Sequence, residues 1–261
     1  MDNAKERVRV QYGSVGDAYV RSVGHATGSD LGRMVEIAAP KGTELLLDIA
    51  TGGGHVARTF SPHVARVIAS DLTPEILRHA SDSFAENGFS NIETAEADAE
   101  DLPFEDDSFE IVTCRIAPHH FPNPEKFVTE VARVLKPGGQ FLLVDSTVPE
   151  GEDGEFFNQF EEIRDHSHVR SLTIEEWAEL IAEAGLTLTL AETFTKRHDF
   201  EDWVVRSNTS DEDRSKLSEI MITATPERQS MFQVEIENDV LVGFTDTKTL
   251  FHASKPEVEK V

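Results

Sequence analysis

The chain is poor in cysteine and has neither a long apolar run nor a secretory signal. Cys114 is the only cysteine among the 261 residues, which excludes an intrachain disulfide. We expect it to be buried in a strand rather than to act as a nucleophile. No apolar run approaches the roughly 18 residues of a membrane span. The N-terminal stretch MDNAKERVRV lacks the apolar segment of a signal peptide. These absences predict a cytoplasmic protein.

Basic residues are also scarce. The chain has 24 Lys and Arg against 49 Asp and Glu, a net charge of −25, and only nine lysines. Such a surface repels nucleic acid phosphates and anionic membranes, so neither is an expected partner. The same imbalance raises the hypothesis of a halophilic protein kept soluble by hydrated carboxylates. An acidic mesophilic protein would look similar.

Short apolar stretches alternate with helical stretches through the middle of the chain. Strands are predicted over residues 44–50, 64–70, 92–97, 109–114, 140–145, 186–196 and 241–252. Helices are predicted from about residue 55, from 74 to 87 with Thr73 as N-cap, from 125 to 135 before the turn Lys136–Gly139, and from a Thr173/Glu176 capping box to Gly185. This alternation favours a parallel sheet with helices on both faces.

Three regions follow from this pattern. Residues 1–40 read as two helices, broken near residues 24–28, that form an N-terminal lid. Residues 41–149 contain the repeated strand–helix units of a ligand-binding core. Residues 150–261 contain the remaining core strands and about forty polar, helix-prone residues that we assign to a cap over the strand ends.

The segment LLLDIATGGGHV, residues 45–56, carries the strongest functional signal. An apolar strand runs into Asp48 and then into Gly52, Gly53 and Gly54. Glycine allows a tight strand-to-helix turn and a close approach of backbone to a ligand. An acidic group at this turn disfavours a pyrophosphate and favours an ammonium, such as the amino-acid end of S-adenosylmethionine (SAM).

The glycine turn is also compatible with another kind of nucleotide site. The run from Gly52 to Ala57 also fits the dinucleotide pattern G-x-G-x-x-A, and Asp71 would suit the ribose of NAD. An NAD-dependent dehydrogenase is therefore an alternative, although Asp48 and the Asp98-Ala99 pair favour SAM. No G-K-[ST] sequence is present, which excludes a P-loop.

Four motifs in order carry a family resemblance. They are LLLDIATGGGH, VIASDLTPEIL, AEADAEDLPFEDDSFEIVTCRIAPHHF and FVTEVARVLKPGGQFLLVD. Together they resemble the class I SAM-dependent methyltransferases, and most closely the small-molecule branch that contains the ubiquinone/menaquinone C-methyltransferases. The resemblance covers about residues 10–195. It implies an α/β fold with a doubly wound, mostly parallel sheet of seven strands. Ala50 stands where many members have glycine. The quinone-methylating members also have alanine at this position.

The resemblance implies a SAM site, with S-adenosylhomocysteine as the product. Asp48 would orient the glycine turn, Asp71 would accept from the ribose hydroxyls and Asp98 from the adenine amine. The full set of implied cofactor residues is Tyr19, Ser22, Asp48, Ala50, Thr51, Gly52, Gly54, Asp71, Leu72, Asp98, Ala99, Arg115 and Ile116.

The acceptor side is less specific. Methyl transfer needs alignment, exclusion of water and, for some acceptors, a base. His119 and His120 follow the fourth strand and are the candidate bases, with His120 preferred. Tyr12, Arg164, His166 and His168 are the candidate acceptor contacts, and no metal site is expected. The acceptor would be a small molecule, aromatic or quinone-like, and the protein a monomer or homodimer. A non-catalytic SAM-binding protein is the second hypothesis.

Overall fold

The computed structural model describes residues 3–13 and 28–257. Two N-terminal helices are present, α1 (Asn3–Gly13) and α2 (Ser29–Ala38). The break predicted between them falls, apart from Gly28, outside the described residues.

The core alternates strands and helices as the sequence predicted. Its elements are β1 (Leu45–Ile49), α3 (His55–Phe60), a 3-10 turn (Ser61–His63), β2 (Arg66–Asp71), α4 (Pro74–Glu86), β3 (Ile92–Glu96), β4 (Phe109–Arg115), a second 3-10 turn (Pro118–His120), α5 (Pro124–Val134) and β5 (Leu135–Thr147). The later elements are α6 (Glu152–Arg164), α7 (Ile174–Glu183), β6 (Thr187–Asp199), α8 (Phe200–Arg206), α9 (Asp211–Ile222), α10 (Pro226–Met231), β7 (Glu235–Glu237) and β8 (Val240–Ser254). Within residues 3–13 and 28–257, no helix is long and apolar enough to cross a membrane.

The strands form one mostly parallel sheet in the order β3-β2-β1-β4-β5-β8-β6. Strands β1 to β5 pair in parallel, whereas β8 runs antiparallel between β5 and β6. The three-residue β7 pairs with β8 and adds an eighth strand to the seven predicted. The α/β, doubly wound fold class is confirmed.

Helices cover both faces of the sheet because the central strands are apolar on both sides. Leu46 belongs to the core on the α2–α3 side, and its neighbour Leu47 to the core on the α5–α7 side. Parallel strands end at the same edge, so the residues at the ends of β1, β2, β4 and β5 meet there. This edge carries Asp48, Asp71, Arg115 and Asp145.

One local prediction was wrong, and a second was correct in position only. The stretch Lys136–Gly139 is not simply a turn after α5, because β5 already begins at Leu135 and includes it. Thr73 occupies the N-cap position of α4, but its side chain makes no capping bond among the described residues. The Asp71 carboxylate instead accepts from the Thr73 N–H. The Thr173/Glu176 capping box of α7 is present as predicted.

The C-terminal helices have an aromatic core of their own. The ring of Phe160 in α6 stacks on Trp203 in α8, and Phe244 of β8 packs against both at ring distances of 5.4 and 4.8 Å. The aromatic side chains of this region therefore form a hydrophobic core among the helices, which is the usual role of such residues. Cys114 is fully buried in β4, as expected.

Candidate active site

The glycine turn after β1 depends on left-handed backbone. Ala50, Gly52 and Gly54 have φ values of 51°, 52° and 76°. A Cβ at Gly54 would also lie 2.3 Å from the ring of Phe84, so glycine is required there both for conformation and for packing. Ala50 adopts the left-handed conformation despite having a Cβ, at some cost in free energy.

Asp48 braces this turn from within. Its carboxylate accepts hydrogen bonds from the hydroxyls of Thr51 (2.6 Å) and Thr113 (2.9 Å). Burial raises the pKa of Asp48 to about 6, although these two hydroxyls oppose the shift. The side chain is 1% exposed, so Asp48 fixes the loop that follows β1.

Asp71 connects the end of β2 to the same turn. One carboxylate oxygen accepts from the Gly52 N–H and the other from the Thr73 N–H, both at 3.0 Å. Burial raises the pKa of Asp71 above its ordinary value, against the effect of these backbone bonds. Each oxygen retains a second acceptor position, and Asp71 lines an open pocket.

This pocket lies at the carboxyl ends of the parallel strands, where ligands of such sheets bind. Of the predicted cofactor residues it is lined by Ala50, Gly52, Asp71, Leu72, Asp98, Ala99 and Ile116, and it is also lined by His120. An adjoining pocket is lined by Asp48, Thr51 and Arg115 and shares Ala50, Gly52 and Ile116 with the first. The structure thus brings together the predicted set, apart from Tyr19, Ser22 and Gly54.

Helix α1 forms one side of this pocket through Lys5, a residue that was not among the predicted site residues. Lys5 lines it, and its amine lies 2.6 Å from Asp98 and 2.8 Å from Glu100. The other oxygen of Asp98 accepts from the Glu100 N–H at 3.0 Å. No local signal could have revealed Lys5, because it is 93 residues from Asp98 in sequence.

Arg115 and Ile116 end β4 in constrained positions. The guanidinium of Arg115 pairs with Asp30 at the start of α2, and both side chains are almost fully buried. Ile116 has a φ of 53°, a genuine outlier for a β-branched residue, and it lines both pockets. Strain of this kind clusters at functional sites.

The two predicted histidines have different surroundings. Nδ1 of His119 lies 2.6 Å from the buried carboxylate of Asp145. Burial holds the pKa of His119 well below its usual range, so the imidazole is neutral. Burial also raises the pKa of Asp145 to about 7. His120 packs its ring 4.2 Å from His119, and its Nδ1 lies 3.0 Å from the carbonyl of Ser167. Only His120 lines the open pocket.

Known proteins share this sequence and architecture. Residues 47–143 match the methyltransferase domain family. The uncharacterized methyltransferase YcgJ of Bacillus subtilis (strain 168) is 37% identical over 215 residues, which cover 82% of this chain and 85% of that relative. The chain belongs to the class I SAM-dependent methyltransferases.

Two further proteins place this methyltransferase among its relatives. A crystal structure of a candidate methyltransferase from Bacillus halodurans C-125 is 44% identical, with a TM-score of 0.86 over 88% of this chain and all of that one. The ubiquinone/menaquinone biosynthesis C-methyltransferase UbiE of Stutzerimonas stutzeri (strain A1501) is 32% identical over 119 residues, 44% of this chain and 46% of that protein. The chain thus spans about half the length of that relative.

The pocket of this methyltransferase suits SAM as its cofactor. Asp71 offers carboxylate oxygens for hydroxyl groups between the apolar side chains of Leu72 and Ala99. The antiparallel β8 between β5 and β6 also differs from the all-parallel order of the dinucleotide-binding fold. The NAD alternative is therefore set aside.

The remaining predicted residues are placed as follows. Arg164 lies over the ring of Trp203 at 4.6 Å and 3.2 Å from Glu161. His168 is buried with Nε2 at 2.9 Å from Asn158, whereas the side chain of His166 is 73% exposed. Tyr19, Ser22 and the side chain of Tyr12 lie outside the described residues. Among those described, no cluster of His, Cys, Asp or Glu could hold a metal ion.

Proposed function

We propose that this methyltransferase transfers the methyl group of SAM to a small-molecule acceptor, aromatic or quinone-like, by in-line displacement. The observation that carries this proposal is that His120 lines the same pocket as Asp71, Leu72 and Asp98. A candidate proton acceptor and the proposed nucleoside site therefore open onto one space. The name of the UbiE relative supports a quinone-like acceptor.

The geometry of the pocket supports the cofactor roles that the family resemblance implies. Asp71 would hold the ribose hydroxyls with its remaining acceptor positions. Leu72 and Ala99 would pack against the adenine, and Asp98 would accept from its exocyclic amine. Asp48 and Thr51 would keep the turn at Ala50–Gly54 against the methionine part, beside Arg115 and Ile116. Tyr19 and Ser22 remain proposed contacts of the cofactor.

The catalytic contribution of the chain is alignment and proton acceptance. The bound cofactor supplies a methyl group activated by a sulfonium. His120 would take the proton of an acceptor hydroxyl or carbon acid, with the neutral His119 packed beside it and oriented by Asp145. Among the candidate acceptor contacts, Tyr12, His166 and His168 remain proposals. Arg164 is engaged with Glu161 and Trp203, so a contact to the acceptor would require it to move.

The regions flanking the core would form the walls of the acceptor site. Residues 1–40 would act as the N-terminal lid of the core (41–149), and the helical insertions of residues 150–261 as a cap. The net charge of −25 of the whole chain supports a salt-adapted enzyme that binds neither nucleic acid nor membranes. A cytoplasmic location and a monomeric or homodimeric state remain proposals.

Calorimetric titration with S-adenosylhomocysteine, at low and at multimolar salt, tests the cofactor part. Asp71→Ala should weaken binding at least tenfold, whereas Asp82→Ala, at an exposed position of α4, should not. Unchanged binding by Asp71→Ala would refute the ribose assignment. Binding by wild type only in high salt would support salt adaptation. Incubation with labelled SAM and a panel of phenols, quinols and amines then identifies the acceptor, and absence of transfer to all small molecules would contradict the proposal.

A further inference from the structure

A cluster of cations lies on one face of the sheet beside the proposed active site. In the sheet register Arg115 of β4 pairs with Val144 of β5, and Ser146, two residues further along β5, pairs with Lys248 of β8. Asp246 is two residues from Lys248 and pairs with Lys196 of β6. Because side chains alternate along a strand, Arg115, Lys248 and Lys196 project from the same face.

This concentration of positive charge is unusual for the chain. The protein carries a net charge of −25 and has nine lysines, of which two stand on this short stretch of sheet edge. Arg206 of α8 joins them, with a guanidinium nitrogen 3.3 Å from Nδ1 of His198. A half-buried group of cations in an acidic protein attracts anions strongly, because the surroundings screen the charge less than water does.

The acidic residues of the cluster are already engaged. Asp30 pairs with Arg115. Asp246 lies 2.7 Å from the amine of Lys248 and 3.0 Å from Nε2 of His198. Although burial alone would raise it, the charge of Lys248 and the hydrogen bonds from Lys248 and His198 hold the pKa of Asp246 below its usual range, so it is ionised.

Lys196 differs from the other charged residues of this cluster in its lack of a direct partner within the described chain. From the described part of the chain, no hydrogen bond or ion pair reaches its amine, although the side chain is partly buried. Burial, together with the charges of Lys248, Arg206 and Arg115, lowers the pKa of Lys196 to about 8, against the effect of Asp246. Such a lysine is poorly compensated within the chain, and a bound anion would compensate it.

We propose that this face of the sheet is the subsite for an oxyanion of the methyl acceptor, a carboxylate or an ionised phenol, with Lys196 as its main partner. Across the sheet the backbones of Arg115 and Lys196 are three strand spacings apart, roughly 14 Å, and along the strands they are offset by four residues, roughly 13 Å, so the two backbones lie roughly 19 Å apart. Their long side chains shorten that gap from both ends. An acidic aromatic molecule held at Lys196 would thus reach towards the pocket that Arg115 lines.

This inference rests on the proposed function and narrows it to acidic acceptors. The test uses benzoate as the oxyanion probe and benzamide as its neutral counterpart. Both are titrated calorimetrically into the full chain saturated with S-adenosylhomocysteine. We expect benzoate to bind at least tenfold more tightly than benzamide.

Variants identify the residue responsible. Lys196→Met should lower benzoate affinity at least tenfold, and Lys196→Arg should largely retain it. Lys216→Met, at an exposed position of α9, should leave it unchanged. A titration of each variant with S-adenosylhomocysteine reports an intact fold.

The outcomes are distinguishable. If wild type fails to bind S-adenosylhomocysteine, the proposed function itself fails. In a second case wild type binds S-adenosylhomocysteine but binds benzoate no more tightly than benzamide at ligand concentrations up to roughly 10 mM, the weakest affinity of interest. That result overturns only the oxyanion subsite. Equal benzoate affinity of wild type and Lys196→Met overturns the assignment to Lys196.

Discussion

The amine of Lys5 lies 2.6 Å from the carboxylate of Asp98 and 2.8 Å from that of Glu100. This contact holds helix α1 against the pocket at the ends of β2 and β3, where Asp98 is proposed to meet the adenine ring. Helix α1 has 11 residues and contributes none of them to the three hydrophobic core clusters of the described chain. A helix of this length is marginal by itself, so a small number of charged contacts can decide whether it stays docked.

We therefore expect Lys5→Met to loosen α1 and to speed the release of S-adenosylhomocysteine. The ion pair is partly exposed and contributes on the order of 1 kcal/mol or less, so the dissociation rate should rise about two- to fivefold. Stopped-flow displacement measures this rate, with the exposed Lys41→Met as the control. An unchanged dissociation rate would mean that α1 does not cover the bound cofactor.

Features of the site could be predicted from the sequence where the residues involved lie close together in the chain. The turn after β1 and Asp71 are close in sequence, and glycine spacing and strand pattern identified them, although the hydrogen bond from Gly52 to Asp71, 19 residues apart, was not predicted. Lys5 and Asp98, by contrast, are 93 residues apart, and Asp30 and Arg115 are 85 apart. Such pairs depend on how α1 and α2 pack against the sheet, and their charges have no pattern that sets them apart from the many other charged residues.

The order of the strands in the sheet was likewise predictable only where neighbouring strands are close in sequence. Alternation of strands and helices was sufficient for a parallel core, since each unit is local. The position of β8 between β5 and β6 arises from a long return of the chain through the cap helices. Consequently the grouping of Lys196 with Lys248 and Arg115 became visible only in the register of the folded sheet.

Gly54→Ala should destabilise the protein more than Gly88→Ala. Both glycines have a φ of 76°, but a Cβ at Gly54 would meet Phe84, whereas a Cβ at Gly88 would meet nothing within 4 Å. Backbone strain of about 1–2 kcal/mol is common to both, and overpacking adds about 1–3 kcal/mol at Gly54. Urea unfolding of the two variants measures the difference. Equal losses in free energy of unfolding would show that Phe84 moves aside without cost.

The stability of Asp48→Asn, measured relative to that of wild type, should increase as the pH rises from 4 to 7. With a pKa of about 6 in the folded protein and 3.8 as the ordinary value, Asp48 binds more protons when folded. Its contribution is therefore fully present below pH 3.8 and is lost as the pH rises through 6. The loss is on the order of 3 kcal/mol.

Asparagine does not ionise, so the difference in free energy of unfolding between variant and wild type should change by that order across this pH range. Asp82→Asn, at an exposed site, serves as the control and should show no such change. The Asp48 variant should also bind S-adenosylhomocysteine more weakly, because it holds Thr51 and the glycine turn less firmly. A pH-independent difference in stability would contradict the raised pKa.

The oxyanion subsite makes benzoate binding depend on pH. Lys196 has a pKa of about 8, and so it loses its charge between pH 7 and 9. Benzoate stays ionised over this range, as a carboxylic acid titrates near pH 4. Neutral His198, with its pKa lowered first by burial, and ionised Asp246 do not change charge there. Affinity should therefore fall with rising pH, by up to about tenfold.

The cationic groups facing Lys196 are those of Lys248, Arg206 and Arg115. Lys196→Arg keeps the positive charge at the site but does not titrate in this range, because a guanidinium stays protonated. Its benzoate affinity should be nearly constant from pH 7 to 9 while that of wild type falls. A bound oxyanion also favours the charged lysine, so the midpoint in the complex should lie above 8. Parallel pH profiles for the two proteins would assign the titration to another group and remove Lys196 from the subsite.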